Sequence, residues 1–248
     1  MPPAWLPSGQ SPERALTGYD EGRRVVLAAF FFKKGLHVNE KVLHSQFGGS
    51  MVQASAVILA GGKSSRMGED KSLISLGGIT ILELLARQFQ PLVEEILISS
   101  NDPASHGFLG LTLVPDESPD CGPIMGILSC LSAARHEKVF FTPCDVPVLP
   151  EDFIQDLLAR AQSVDLVMAL DARGRYEPLL AVYSRSLVPL IRGLIAAGER
   201  RIVSILGLPG IRAGFVSLAG QTWYRNLNSP EDLLAIGHPG LTGQPGAD

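Results

Sequence analysis

The sequence predicts a single α/β domain whose mostly parallel central sheet is covered by helices on both faces. Three observations carry that prediction. From Ser55 onward, short apolar runs alternate with segments of helical periodicity. The first of these runs, Ala56-Val57-Ile58-Leu59, is apolar throughout rather than alternating in polarity, as a strand buried on both faces should be. A chain of 248 residues, 46% apolar and 19% charged, is long enough to bury such a core and too apolar for wholesale disorder.

The elements follow in order. Ala56-Val57-Ile58-Leu59 reads as a buried strand that ends in glycines. Residues 79–90 place Ile81, Leu84, Leu85 and Phe89 at helical spacing. Residues 95–99 (EILIS) and 111–114 are the next strands, 122–135 a helix, and 139–142 a further buried strand. Residues 150–161 are helical, with Pro150 suited to the first turn. The runs 165–170 and 179–183 complete the central pattern.

The domain is expected to span 52–237, between an N-terminal extension of unknown role (1–51) and a flexible tail (238–248). Pro2-Pro3, Ser8-Gly9 and Ser11-Pro12 interrupt regular structure in the extension, and Gly48-Gly49-Ser50 reads as a linker. Met51 is a candidate natural start. The apolar run Val25–Phe32 has eight residues, far short of the ~20 needed to span a membrane. No small-residue cleavage site follows it.

Composition narrows the function classes. A net charge of -4 gives no reason to expect nucleic acid as a partner. Cys121, Cys130 and Cys144 are odd in number and lack CxxC spacing, which argues against a disulfide scaffold or zinc site and fits the cytoplasm. The five histidines show no metal-ligand spacing, and no chemistry is assigned to them.

The segment from Leu59 to Lys71, LAGGKSSRMGEDK, directly follows the first strand. Paired glycines let a backbone approach a ligand closely, and loops at the carboxyl ends of parallel strands are where α/β folds bind ligands. Backbone N–H groups there can cradle phosphates, while Lys63, Arg66 and Lys71 neutralise their charge. The segment is neither GxxxxGK[ST] nor GxGxxG, and a plain tight turn is the competing account of its glycines. Asp145, in Pro143-Cys144-Asp145-Val146-Pro147 after the strand 139–142, is placed to hold a divalent cation or, alternatively, to shape a turn. Asp116, after the strand 111–114, repeats that geometry, with a turn beside Pro115 as its other reading.

Five segments now stand in order: LAGGKSSRMGEDKSL, GPIMGIL (122–128), CDVPVL (144–149), AGERRIV (197–203) and NLNSPEDL (226–233). Together they resemble the molybdenum cofactor guanylyltransferases, the MobA-type enzymes of the nucleotidyltransferase superfamily. The resemblance runs from about Ala56 to Ile236. It implies a Rossmann-like domain that transfers GMP from Mg-GTP to the terminal phosphate of molybdopterin and releases pyrophosphate. It implies Mg²⁺ as cofactor, GTP and molybdopterin as substrates, and recipient molybdoenzymes or cofactor-delivery proteins as further partners.

Carried over by position, Leu59, Ala60 and Gly61 line the guanine and ribose, and Lys71 contacts the phosphates. Asp116 fixes the nucleoside, Asp145 binds Mg²⁺ beside the α-phosphate, and Asn226 and Asn228 lie near the pterin or its phosphate. The cytidylyl relatives usually read LAAG where this chain reads LAGG, which favours guanine. Family members often carry an asparagine where Ser99 stands. Serine cannot offer the amide's paired donor and acceptor, so Asn101 is the alternative group for the base. The resemblance leaves open a related enzyme that uses CTP or another phosphorylated acceptor, and a non-catalytic cofactor-delivery protein.

Overall fold

The computed structural model describes residues 51–60, 70–76 and 78–224 of the chain. The expected extension up to residue 50, the tail, Gly61, Lys63, Arg66, Asn226 and Asn228 lie outside the described residues. In chain order the elements begin with β1 (Val52–Leu59), the short hairpin strands β2 (Ser75–Leu76) and β3 (Ile79–Thr80), and helix α1 (Ile81–Phe89). They continue with β4 (Val93–Ser99), α2 (Pro103–His106), β5 (Thr112–Val114), α3 (Pro123–Ala133) and β6 (Lys138–Pro143). The last are α4 (Glu151–Ala161), β7 (Leu166–Leu170), β8 (Tyr176–Ser184), α5 (Val188–Ala196) and β9 (Ala213–Ser217).

Seven strands form one sheet in the order β5-β4-β1-β6-β8-β7-β9. Strands β1, β4, β5 and β6 pair in parallel, and β7 pairs in parallel with β9. Only β8 runs against its two neighbours. The sheet is therefore mostly parallel, as expected, and the exception has a local cause. Residues 171–175 leave no room for a crossover helix, so β7 and β8 can only form a hairpin. Asp171 builds that turn by accepting the N–H groups of Arg173 and Arg175, each at 2.8 Å, and Gly174 supplies its positive φ of 75°.

Alternate residues of β1 face opposite layers. Ala54, Ala56 and Ile58 pack with Leu82, Leu85 and Phe89 of α1 and Ile154 and Leu157 of α4. Val57 and Leu59 pack with Ile124, Ile127 and Leu128 of α3, in a layer that also takes Ile191 of α5. Both faces are thus covered, which is why the strand sequences carry no polar face.

The helix expected over 79–90 starts later because Ile79 and Thr80 pair back on β2. Thr80 then caps α1: its Oγ1 accepts from the Glu83 N–H at 3.1 Å, and its own N–H donates to Glu83 Oε2 at 2.8 Å. The expected helix 122–135 is shorter at its end, because Ala134 turns to extended backbone. Helix α5 and strand β9 were not foreseen from the sequence.

Candidate functional site

The carboxyl edge of the sheet brings four strand ends into one row. Ala60 N–H donates to Ser99 O at 3.1 Å, Ser100 N–H to Val114 O at 3.1 Å, and Cys144 N–H to Leu59 O at 3.3 Å. The chain leaves β1 towards β4 and β5 on one side, then returns to place β6 on the other. That reversal of strand order opens a crevice at the carboxyl ends of β1 and β6, the place where open α/β sheets bind ligands. Leu59 and Ala60 stand at its floor, both buried.

On the β4–β5 side, Asn101 and Asp116 form a reciprocal pair. Asn101 Nδ2 donates to Asp116 Oδ2 at 2.9 Å, and the Asp116 N–H donates to Asn101 Oδ1 at 2.8 Å. Asn101 spends its amide oxygen and one N–H on this bridge, and a second N–H remains for a ligand. Ser99 does something else. It is buried and lies under Gly126 of α3. A Cβ at Gly126 would stand 2.9 Å from Ser99 Oγ and 3.5 Å from Asp116 Oδ1, so a residue without a side chain is what lets α3 dock here.

On the β6 side, Asp145 follows the strand end and is partly buried. Burial raises the pKa of its carboxyl above the ordinary value, and the positive charge of Lys71 opposes that rise. Asp145 and Lys71, distant in sequence, are therefore within electrostatic reach of each other. The loop that carries Asp145 is fixed from below by Gln88 of α1. The Gln88 amide donates to Pro147 O and accepts from the Leu149 N–H, both at 2.8 Å, and it is buried.

Glu177 completes this side and was not singled out from the sequence. Because β8 is antiparallel, its first residues return to the carboxyl edge: Glu177 pairs with Ala169 near the end of β7. Burial raises the Glu177 pKa, its bond to Tyr224 counters this, and the charges of Asp171 and Asp145 raise it further. The only sequence signal would have been the direction of β8, since periodicity says nothing about which end of a strand meets the site.

Neither Cys130 nor Cys144 is poised as a nucleophile. Burial pushes the thiols of Cys130 and Cys144 up to about 12, so both stay protonated near neutral pH. Among the described residues no group of three or more His, Cys, Asp or Glu side chains could hold a metal ion. The site offers oxygen donors and a cation at the crevice mouth, which is the inventory for handling phosphates.

Residues 56–211 match the MobA-like NTP transferase domain. The chain belongs to the MobA-like NTP transferase family. Within this family it is 33% identical over 189 residues to a probable molybdenum cofactor guanylyltransferase of Carboxydothermus hydrogenoformans, covering 76% of this chain and 93% of that protein. It is 37% identical over 186 residues to the molybdenum cofactor guanylyltransferase of Serratia proteamaculans, covering 73% and 93%. The fold is similar to the crystal structure of molybdopterin-guanine dinucleotide biosynthesis protein A from Archaeoglobus fulgidus. That likeness has a TM-score of 0.61 at 20% identity and covers 74% of this chain and 96% of that one. The MobA-like match begins within β1, includes β2 to β8, and ends before β9. No described helix is long and apolar enough to cross a membrane.

Proposed function

We propose that this protein transfers GMP from Mg-GTP to the terminal phosphate of molybdopterin. The observation that carries the reading is the partly buried Asp145 facing Lys71 at the strand-order reversal, in a chain whose relatives are guanylyltransferases. A phosphate oxygen of molybdopterin attacks the α-phosphorus of GTP. The bond from that phosphorus to the α–β bridging oxygen breaks, and pyrophosphate leaves with the electron pair. The attacking oxygen is already ionised at neutral pH, so the protein needs no nucleophile of its own. That agrees with the protonated thiols at Cys130 and Cys144.

The work left to the chain is orientation and charge neutralisation. Leu59, Ala60 and Gly61 line the base and ribose. Asn101, held rigid by Asp116, presents its remaining N–H to the nucleoside, and Ser99 supports this indirectly by seating α3. Lys71 contacts the phosphates. Asn226 and Asn228 bind the pterin or its phosphate. The donor set at Asp145 fits Mg²⁺, which favours one or two protein carboxylates and takes its other oxygens from phosphates and water. Bound there, the ion would neutralise charge on the α-phosphate and the departing pyrophosphate. The dinucleotide product is then available to recipient molybdoenzymes or cofactor-delivery proteins, and the free thiols suit a reducing cytoplasm.

The test is pyrophosphate release from GTP and from CTP, each with molybdopterin and Mg²⁺. GTP-dependent release with the dinucleotide as co-product is the expected result. Preference for CTP defeats the guanylyl assignment. Tight binding without pyrophosphate release defeats catalysis and leaves a delivery protein.

A further inference from the structure

We infer that His106 is a positioning residue that fixes Lys71 and ties it to the Ser100–Asp102 turn after β4. The imidazole is 2% exposed and lies at the centre of a hydrogen-bond network linking two loops of the site. Asp70 Oδ1 accepts the Ser72 N–H at 2.9 Å and the Ser72 hydroxyl at 2.7 Å, closing the single 3-10 turn Lys71–Leu73. His106 Nε2 stands 3.0 Å from Asp70 Oδ2 and 2.9 Å from Ser72 Oγ. On its other edge, Nδ1 stands 2.6 Å from Ser100 Oγ, which also accepts the Asp102 N–H at 2.9 Å.

Both ring nitrogens are partnered: Nδ1 by the Ser100 hydroxyl, and Nε2 by the Asp70 carboxylate and the Ser72 hydroxyl, while the Ser72 hydroxyl also donates to the second Asp70 oxygen. Lys71 sits between the two residues bonded to the same imidazole edge, so its backbone cannot move without breaking those bonds. Ser72 is fully buried, and water cannot replace what is lost. The turn is held from its far side as well, where the Ile81 N–H at the start of α1 donates to Ile74 O at 3.0 Å. Through Ser100 the same ring holds the residue next to Asn101. One side chain therefore sets the separation between the phosphate-side cation and the base-side amide.

The inference rests on Lys71 contacting the triphosphate, and a double-mutant cycle separates the two claims. Mg-GTP affinity is measured by calorimetry for the wild type, Lys71→Ala, His106→Leu and the double variant, with His106→Gln as the conservative replacement. His106→Leu should weaken GTP binding by about 10-fold, as lost hydrogen bonds to a carboxylate allow. His106→Gln, which keeps a donor and an acceptor, should restore most of it. In the Lys71→Ala background, His106→Leu should cost little further. Equal losses in both backgrounds would overturn the inference and leave His106 a merely structural residue, as would no loss from His106→Leu while Lys71→Ala binds weakly. Unchanged binding by Lys71→Ala removes the reading of Lys71 itself and the inference with it. Ser72→Ala keeps the imidazole in place and carries the same cycle should His106→Leu not fold.

Discussion

The two sides of the crevice are built on opposite principles. On the proposed base side, Asn101 and Asp116 satisfy each other through two hydrogen bonds before any ligand arrives. On the proposed phosphate side, burial disfavours the ionised forms of both Asp145 and Glu177, and the charge of Asp145 adds to the cost at Glu177. A satisfied pair serves shape: it presents one remaining donor in a fixed direction. A destabilised carboxylate serves charge: it holds affinity for a cation in reserve and releases it only when one binds.

The largest test of that contrast is at Asp145. Removing the carboxylate by Asp145→Asn should abolish turnover, measured as pyrophosphate release, while the metal-free variant becomes more stable than the wild type at neutral pH. The sign follows from linkage. The folded-state pKa of Asp145 lies above its ordinary value of 3.8, so the native state binds its proton more tightly than the unfolded chain. Stability therefore falls as pH rises from that ordinary value through the folded one, and the deficit is complete above both. Asparagine cannot ionise and escapes it. Thermal melting at pH 4 and pH 7 checks this: the variant's advantage should be present at pH 7 and shrink towards pH 4. Adding Mg²⁺ and GTP should raise the melting temperature of the wild type more than that of the variant. A variant that melts lower at pH 7 would mean that Asp145 is a structural cap rather than a reserved ligand.

A smaller effect is expected on the satisfied side. Asn101→Ala strips Asp116 of its partner and removes the donor offered to the nucleoside. GTP binding should weaken by roughly 12- to 150-fold, the range for one hydrogen bond to a charged group, with no change in metal dependence. Asp116→Asn should do less harm, because an amide can still accept from Asn101. Should both substitutions leave the choice between GTP and CTP untouched, the pair stabilises the loops and does not read the base.

How much of this was legible in the sequence depended on whether the cause was local. The strands β1, β4, β6 and β7 announce themselves because burial on both faces leaves their central residues mostly apolar. Asp145, Asp116 and Lys71 stood out as candidates because each lies after a strand, and strand ends in this fold lead to the crevice. Strand β9 escaped notice as a half-exposed stretch containing Gly214, whose place is explained only by its packing on Val167 of β7. Helix α5 carries Pro189 in its first turn and Gly193 within, which blunt its signal. Gln88, His106 and Glu177 act across sequence separations of 59, 36 and 32 residues, counted from Gln88 to Pro147, His106 to Asp70 and Glu177 to Asp145. No local pattern encodes those partners. They appear once the sheet order and the reversed β8 are known.

The smallest predicted effect lies where the two sides meet, at the docking of α3. Gly126→Ala should help a helix by about 1 kcal/mol on propensity alone. Here the new Cβ would stand 2.9 Å from Ser99 Oγ, and that hydroxyl has little freedom, being buried on a short side chain. Overpacking of this kind costs about 1–3 kcal/mol, so the net change should be a modest destabilisation, read from urea unfolding. Ser99→Ala removes the clashing atom, and in the double variant the helix preference should re-emerge as stability at or above that of the wild type. Because Asp116 Oδ1 lies 3.5 Å from the same point, the single variant should also weaken GTP binding slightly, while leaving the Mg²⁺ response of Asp145 unchanged. A change at both sides at once would show that α3 couples them, and the division between a pre-satisfied base side and a charge-reserving phosphate side would then have to be redrawn as one cooperative unit.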